Sequence, residues 1–294
     1  MPLSLHRASL TAGACGLLAI AGVFALVRHD QEAADPTGIE QQRDEVAKPP
    51  AQKPLPSPHV ERDPSGRLSW HRPRSKKRET DRKGMVATQI ARGGIYHKAV
   101  NDQRVLEAMR SVPRDWFVPE WRSDQAYDDT PLPIGHGQTI SQPYIVALMT
   151  EHLEVKEGDK ILEVGTGSGY QSAVLSELTP FVFTIEIVEP LHKLATRRYK
   201  EHEYKTIQTR FGDGYDGWKE QAPFDGIIVT CSAGHVPVPL WEQLKPGGRM
   251  VIPVGSVYQT QRLLVLTKGA DGKRKGKNVL PVRFVPMTGK MLKP

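Results

Sequence analysis

An apolar run, Lys160-Ile161-Leu162-Glu163-Val164, leads without a break into Gly165-Thr166-Gly167-Ser168-Gly169-Tyr170. Few folds accept that pattern, because a buried strand must end in a tight bend and a helix must start at once beyond it. Glycine reaches positive φ without strain and carries no Cβ. Gly165, Gly167 and Gly169 therefore allow both the bend and the close approach of a ligand to bare backbone. Glu186 stands 21 residues beyond Gly165, near the end of the next apolar run, Phe181 to Ile187. A carboxylate at that distance, on the tip of the adjacent strand, is placed to accept hydrogen bonds from ribose hydroxyls. The pattern predicts a nucleoside site at the carboxyl edge of an α/β sheet.

The glycine spacing bears on which nucleoside. A dinucleotide fingerprint is Gly-x-Gly-x-x-Gly, with its last glycine leaving room for pyrophosphate and for helix packing. Here Tyr170 follows Gly169, and Glu163 precedes the turn. A bulky side chain and an acid in those places suit a cofactor without phosphates and with positive charge. S-adenosylmethionine, with its ammonium and sulfonium, fits that description. Gly212-Asp213-Gly214 follows a short apolar patch, Ile207 to Phe211. It reads either as a plain Asp-Gly turn or, at a third strand's carboxyl end, as the group that meets the adenine edge.

From Gly84 onward helical and strand patterns follow one another. Met85–Ile90 and Asn101–Met109 read as helices, Pro131–Gln138 as irregular, and Tyr144–Leu153 as a helix. Strands then alternate with helices through Phe224–Thr230, a helix at Pro239–Leu244, the stop signal Lys245-Pro246-Gly247-Gly248 and a strand at Arg249–Val254. That alternation predicts a Rossmann-like, doubly wound α/β domain over 83–294, with a parallel sheet covered by helices on both faces.

The rest of the chain has a different texture. Leu10 to Val27 is an uncharged, mostly apolar stretch after His6 and Arg7, and it satisfies both a secretory h-region and a short membrane anchor. An exported domain would be cut off from a cytosolic cofactor, so the catalytic part is expected in the cytoplasm. Prolines 36, 49, 50, 54, 56, 58, 64 and 73 mark residues 31–82 as a tether with nothing to bury. The net charge of +7 collects in two runs, at Arg72–Lys83 and at Lys268–Lys277. No aromatic residues interleave them as base stacking requires, so nucleic acid is not an expected partner. Two cysteines, Cys15 and Cys231, exclude a disulfide framework, and no Cys/His spacing suggests a metal site.

From about Arg82 to Pro286 the chain resembles the protein-L-isoaspartate O-methyltransferases. The resemblance rests on Leu132-Pro133-Ile134-Gly135, Gly137-Gln138-Thr139-Ile140-Ser141-Gln142-Pro143, Leu162 to Gln171, Gly212-Asp213-Gly214, Ala222-Pro223-Phe224-Asp225, Leu244 to Gly248 and Arg283-Phe284-Val285-Pro286. It implies a class I methyltransferase fold, S-adenosylmethionine as cofactor, and damaged proteins carrying L-isoaspartyl residues, or D-aspartyl ones, as partners of a monomeric domain. It further implies Ser141 as the active-site serine. Thr139, Ile140, Gly165, Gly167, Gly169, Glu163, Glu186, Asp213, Gly214 and Thr230 become the expected cofactor shell. Ser141 before Gln142-Pro143 also reads as a helix cap, and both roles are compatible.

The chemistry accounts for the scarcity of acid–base groups. A carboxylate, with a reference pKa near 4, is already ionised at neutral pH and needs no general base. Positioning and the exclusion of water remain. Thr230-Cys231-Ser232-Ala233-Gly234-His235-Val236-Pro237 departs from the family's alanines and prolines, which bears on peptide preference. It also lacks the Asn/Asp-Pro-Pro-aromatic loop that methylation of an amide or base nitrogen would want. The alternative of another class is a noncatalytic module that binds the cofactor or peptides without turnover.

Overall fold

The computed structural model describes residues 59–93, 97–256 and 258–292. The apolar segment at 10–27 and the tether up to residue 58 lie outside the described residues. The described chain opens with a hairpin, β1 (Val60–Arg62) and β2 (Leu68–Trp70), followed by α1 (Glu79–Met85), a π-helical turn at Val86–Ile90 and α2 (Gln103–Ser111). A second hairpin, β3 (Leu132–Gly135) and β4 (Gln138–Ile140), runs into α3 (Pro143–Leu153). Then come β5 (Lys160–Val164), α4 (Tyr170–Ser176), β6 (Phe181–Glu186), α5 (Glu189–Glu201), β7 (Ile207–Phe211), β8 (Phe224–Val229) and α6 (Val238–Gln243). The chain closes with β9 (Leu244–Val254), β10 (Gln261–Lys268) and β11 (Arg274–Val282).

Seven strands make one sheet in the order β11-β10-β9-β8-β5-β6-β7. The five from β9 to β7 are parallel, while β10 and β11 add antiparallel pairings at one edge. Successive residues of the central strands enter opposite cores. Ile161, Val182, Ile228 and Val251 pack under α2 to α5, whereas Leu162, Val164, Phe183, Ile185, Ile227, Val229 and Met250 pack on the side of α6. All of β5 is buried, as a parallel strand covered on both faces must be. The order reverses between β5 and β8, so the crevice for a ligand opens at the carboxyl ends of those strands. Asp225 holds their other ends, accepting from the Lys160 N–H at 2.8 Å and from Lys245 Nζ at 2.6 Å.

Three expectations are corrected. Pro131–Gln138 is not irregular: its residues build the β3–β4 hairpin, whose turn places His136 and Gly137 at φ 53° and 70°. A histidine at positive φ and strands of three or four residues hide that hairpin from pattern reading. Lys245-Pro246-Gly247-Gly248 follows directly on the end of α6 at Gln243 as a stop signal should, but it is a bulge within β9 rather than a turn ahead of it: the register steps from Phe224 opposite Leu244 to Gly226 opposite Arg249. The tether ends before residue 82, because Leu68 and Trp70 are buried against the domain. The Trp70 indole N–H donates to the Ser176 carbonyl at 2.7 Å, and the Leu68 N–H to Glu157 at 2.9 Å. Two apolar residues at period two are too weak a signal among so many prolines and charges.

The first basic run is built into this packing. Arg72 lies over the Trp70 ring, Arg74 makes a two-pronged contact with Glu177 at 2.8 Å, and Arg82 is buried with its guanidinium on the carbonyls of Ser75, Lys77 and Arg110. Burial pushes the Glu177 carboxyl up, and Arg74 opposes that shift. Arg74→Gln is therefore expected to cost about 1–2 kcal/mol, read as a lower thermal midpoint at pH 7 that shrinks at acid pH once Glu177 is protonated.

Candidate active site

A cleft opens at the carboxyl ends of β5, β6 and β8, where an open α/β sheet takes its ligand. Its floor is the glycine turn. Gly165 and Gly167 stand at φ 97° and 53°, and a Cβ on Gly165 would lie 2.6 Å from Thr230 Oγ1. Thr230 is fixed there, its hydroxyl within 3.0 Å of the Val164 carbonyl and 2.6 Å of the Gly165 carbonyl. Glu186, at the end of β6, ties the turn to the second strand. Its carboxylate accepts the Gly167 N–H at 2.7 Å and the Val188 N–H at 2.8 Å. Each oxygen retains a further lone pair, since a carboxylate accepts about four hydrogen bonds.

Glu163 lies beside them, wholly buried yet part of the cleft wall. One oxygen accepts the hydroxyls of Ser172 and Thr184, the latter at 2.6 Å, while Oε1 has no hydrogen-bond partner among the described residues. Burial pushes its pKa up to about 8, opposed by the two hydroxyls and reinforced by the nearby Glu186 charge. A buried, unpartnered carboxylate oxygen at the edge of a bare-backbone cradle fits a cationic nucleoside. The cleft has the polarity that S-adenosylmethionine requires.

Thr139, Ile140 and Ser141 form the opposite wall. They arrive on β4, turned back by the β3–β4 hairpin and set directly before α3. The helix-cap reading of Ser141 does not hold. The residue before α3 is Gln142, and Asp129 does the capping from outside, accepting the Tyr144 N–H at 3.0 Å and the Gln142 side-chain amide at 2.8 Å. No described contact engages the Ser141 hydroxyl as a cap, and Ser141 lines two spaces at once. One is the cleft; the other is a groove between α3 and the β11 end, reached past Thr139, Thr230 and Val285.

The comparisons with known proteins agree with this geometry. The model of the protein-L-isoaspartate(D-aspartate) O-methyltransferase family matches residues 86–292. The chain belongs to that family. Protein-L-isoaspartate O-methyltransferase 1 of Cupriavidus necator is 58% identical over 189 residues, covering 64% of this chain and 73% of that one. The Opitutus terrae protein-L-isoaspartate O-methyltransferase is 53% identical over 211 residues, covering 72% and 88%. A Plasmodium falciparum chain assigned to the same enzyme class, crystallised with S-adenosyl-L-homocysteine, superposes with a TM-score of 0.61 at 26% identity over 70% of this chain and 98% of that one.

For a methyltransferase of this family the expected shell gathers well, with two exceptions. Thr139, Ile140, Glu163, Gly165, Gly167, Glu186, Gly214 and Thr230 all line the cleft with Ser141. Gly169 does not. It stands at φ 95° just before α4, where a Cβ would strike the Tyr199 ring, so it serves packing. Asp213 does not line the cleft either; its carboxylate accepts the N–H groups of Tyr215 at 3.0 Å and Lys290 at 2.8 Å.

Pattern reading missed Arg114. Arg114 is wholly buried and donates to the Ala126 carbonyl at 2.8 Å and the Ser141 carbonyl at 2.7 Å, holding the active-site segment from below. Burial lowers its pKa to about 10, so it stays charged at neutral pH. A lone arginine after Pro113 carries no local signal of that role. Cys231 lines the cleft wall, and burial with the Glu186 and Asp213 charges pushes its thiol far above the usual range. His235 is exposed and faces the Tyr215 ring. Arg283-Phe284-Val285-Pro286 joins the site through the loop after β8: the Ser232 N–H donates to the Val285 carbonyl and the Met287 N–H to the Ser232 carbonyl, both at 2.8 Å.

Proposed function

We propose that the cleft holds S-adenosylmethionine and the groove beside it the damaged chain, with Ser141 at their boundary. The reaction is methyl transfer to the free carboxylate of an L-isoaspartyl residue in a damaged protein. The single observation that carries the assignment of Ser141 is that the residue lines both spaces while Asp129 takes over the capping of α3.

Glu163 and Glu186 suit the ammonium and ribose ends of the cofactor, and Gly165, Gly167 and Gly214 let it lie on backbone. The cofactor supplies an activated sulfonium methyl. The chain's own work is placement. Ser141 donates a hydrogen bond to the acceptor carboxylate and orients one of its oxygens, Arg114 holds the Ser141 backbone, and Thr139, Ile140 and Val285 exclude water. No group need take a proton, because the nucleophile is already ionised.

Residues 10–27 suit a membrane anchor joined by a tether to the domain, with the catalytic part in the cytoplasm beside its cofactor supply. Selectivity between L-isoaspartyl and D-aspartyl sites would reside in the groove and in the loop at 231–236.

The test uses radiolabelled S-adenosylmethionine with matched peptides that carry L-isoaspartyl or ordinary aspartyl at one position. Base-labile methyl on the isoaspartyl peptide alone supports the assignment; cofactor binding without transfer to either peptide supports a noncatalytic module. Ser141→Ala is expected to lower kcat about 10- to 100-fold, the worth of one hydrogen bond to a charged group, with cofactor affinity nearly kept. Unchanged turnover would remove Ser141 from the mechanism.

A further inference from the structure

The groove beside Ser141 does not end at the active site. Through His97, Tyr144 and Leu280 it continues into a second hollow, lined by Lys98, Asn101, Glu151, His152, Lys277 and Asn278. The outer edge of β11 forms one wall of both, and among the described residues β11 pairs with β10 alone. A free strand edge offers backbone N–H and C=O groups to an extended peptide, which would run along it at about 3.3 Å per residue. The Ser141 end of the groove lies by Val285, and the hollow is lined by Lys277 to Leu280, so it lies five to eight residues, roughly 16–26 Å, along the strand from that end.

The chemistry of the hollow is one-sided. Lys98 and Lys277 are exposed at its rim. The Tyr144 hydroxyl donates to the Lys98 carbonyl at 2.9 Å, which anchors that residue's backbone beside α3. Half-buried His152 is held below its ordinary pKa by burial and then by the Lys277 charge, with Arg249 adding to the effect and Glu151 and Glu154 opposing it. Glu151, the one carboxylate lining the hollow, is turned to the chain itself: a single oxygen accepts the N–H groups of Asn101 and Asp102 at 2.6 and 2.8 Å. Leu148, Val279 and Leu280 supply apolar surface for a side-chain stem.

We propose that this hollow is a specificity subsite that reads an acidic side chain five to eight residues from the isoaspartyl residue, with Lys98 and Lys277 as the reading groups. The inference rests on the assignment of the groove to the substrate chain. Neither lysine lines the cofactor cleft or touches the reacting carboxylate, so their effect falls on KM rather than on kcat.

The experiment measures kcat and KM of the full chain for isoaspartyl peptides that differ only by Glu, Gln or Lys at one of the fifth to eighth positions on either side. On one side of the isoaspartyl residue, Glu is expected to raise kcat/KM about fivefold through KM, fading towards parity at about 0.5 M salt as exposed charges are screened. Lys98→Gln with Lys277→Gln should level the two peptides while leaving kcat for the Gln peptide unchanged. Lys98→Glu with Lys277→Glu should reverse the order, favouring Lys at that position over Glu. Equal kcat/KM for the Glu and Gln peptides in the native chain, or a Glu preference that survives charge reversal, overturns the subsite alone. If no isoaspartyl peptide accepts a methyl group, the reaction itself is overturned and the subsite with it.

Discussion

Gly165→Ala is expected to weaken cofactor binding roughly a hundredfold or more and to lower the thermal midpoint. Two costs combine. At φ 97° an L side chain is strained, by about 1–3 kcal/mol. The added Cβ would also sit 2.6 Å from Thr230 Oγ1. Thr230 cannot yield freely, because its hydroxyl is held by the carbonyls of Val164 and Gly165. Relief must come from the turn itself, which shifts the Gly167 N–H away from Glu186 and distorts the cradle. Calorimetric titration with S-adenosylhomocysteine checks the affinity, and thermal unfolding checks the fold. Thr230→Ala in the Gly165→Ala background should recover part of the loss by removing the clashing oxygen; the strain at φ 97° would remain. Native affinity in the single variant would mean that the turn does not form the cofactor floor.

Glu163→Gln should change the pH dependence of both stability and binding. The carboxyl is raised from an ordinary 4.5 to about 8 by burial, so the fold favours its neutral form. Its contribution to stability is complete below about pH 4.5, declines as the pH rises, and is lost above about 8. The whole span is on the order of 5 kcal/mol as an upper bound. Glutamine has nothing to ionise, so the variant should keep its stability between pH 6 and 9 while the native chain loses some. Denaturant unfolding at several pH values reads this directly. Binding should move the other way. A cationic cofactor beside Oε1 favours the ionised acid, so the native chain should release a proton on binding and gain affinity from pH 6 to 8. The variant should bind about tenfold more weakly at pH 8 and show less pH dependence. Parallel affinity curves for the two proteins would place the cofactor's charge elsewhere.

The site was legible in the sequence where chemistry and local geometry coincide. Gly165, Gly167, Glu186 and Thr230 sit at strand ends, and a strand end in a doubly wound sheet already implies a place in the crevice. Asp213 and Gly169 occupy such places too, yet neither lines the cleft: the Tyr215 and Lys290 N–H groups hold the first, and the Tyr199 ring crowds the second. Arg114 and Asp129 were illegible because each acts across the fold, on Ser141 and on the start of α3, from segments without periodic pattern. The β1–β2 hairpin escaped notice for the same reason, since Trp70 finds its partner, the Ser176 carbonyl, 106 residues away.

Local backbone demands and hydrophobic periodicity act over a few residues, so the alternating strands and helices, the glycine turn and the family resemblance could be read from residue order. Which groups face one another is settled only when distant segments pack. The tertiary structure alone decided that Ser141 stands free between two spaces, that Glu163 is buried with an oxygen unpaired, and that the early basic run is part of the domain's packing. Burial is what converts those side chains from exposed charges and hydroxyls into oriented ones, because a polar group removed from water must find a partner or keep its capacity for a ligand.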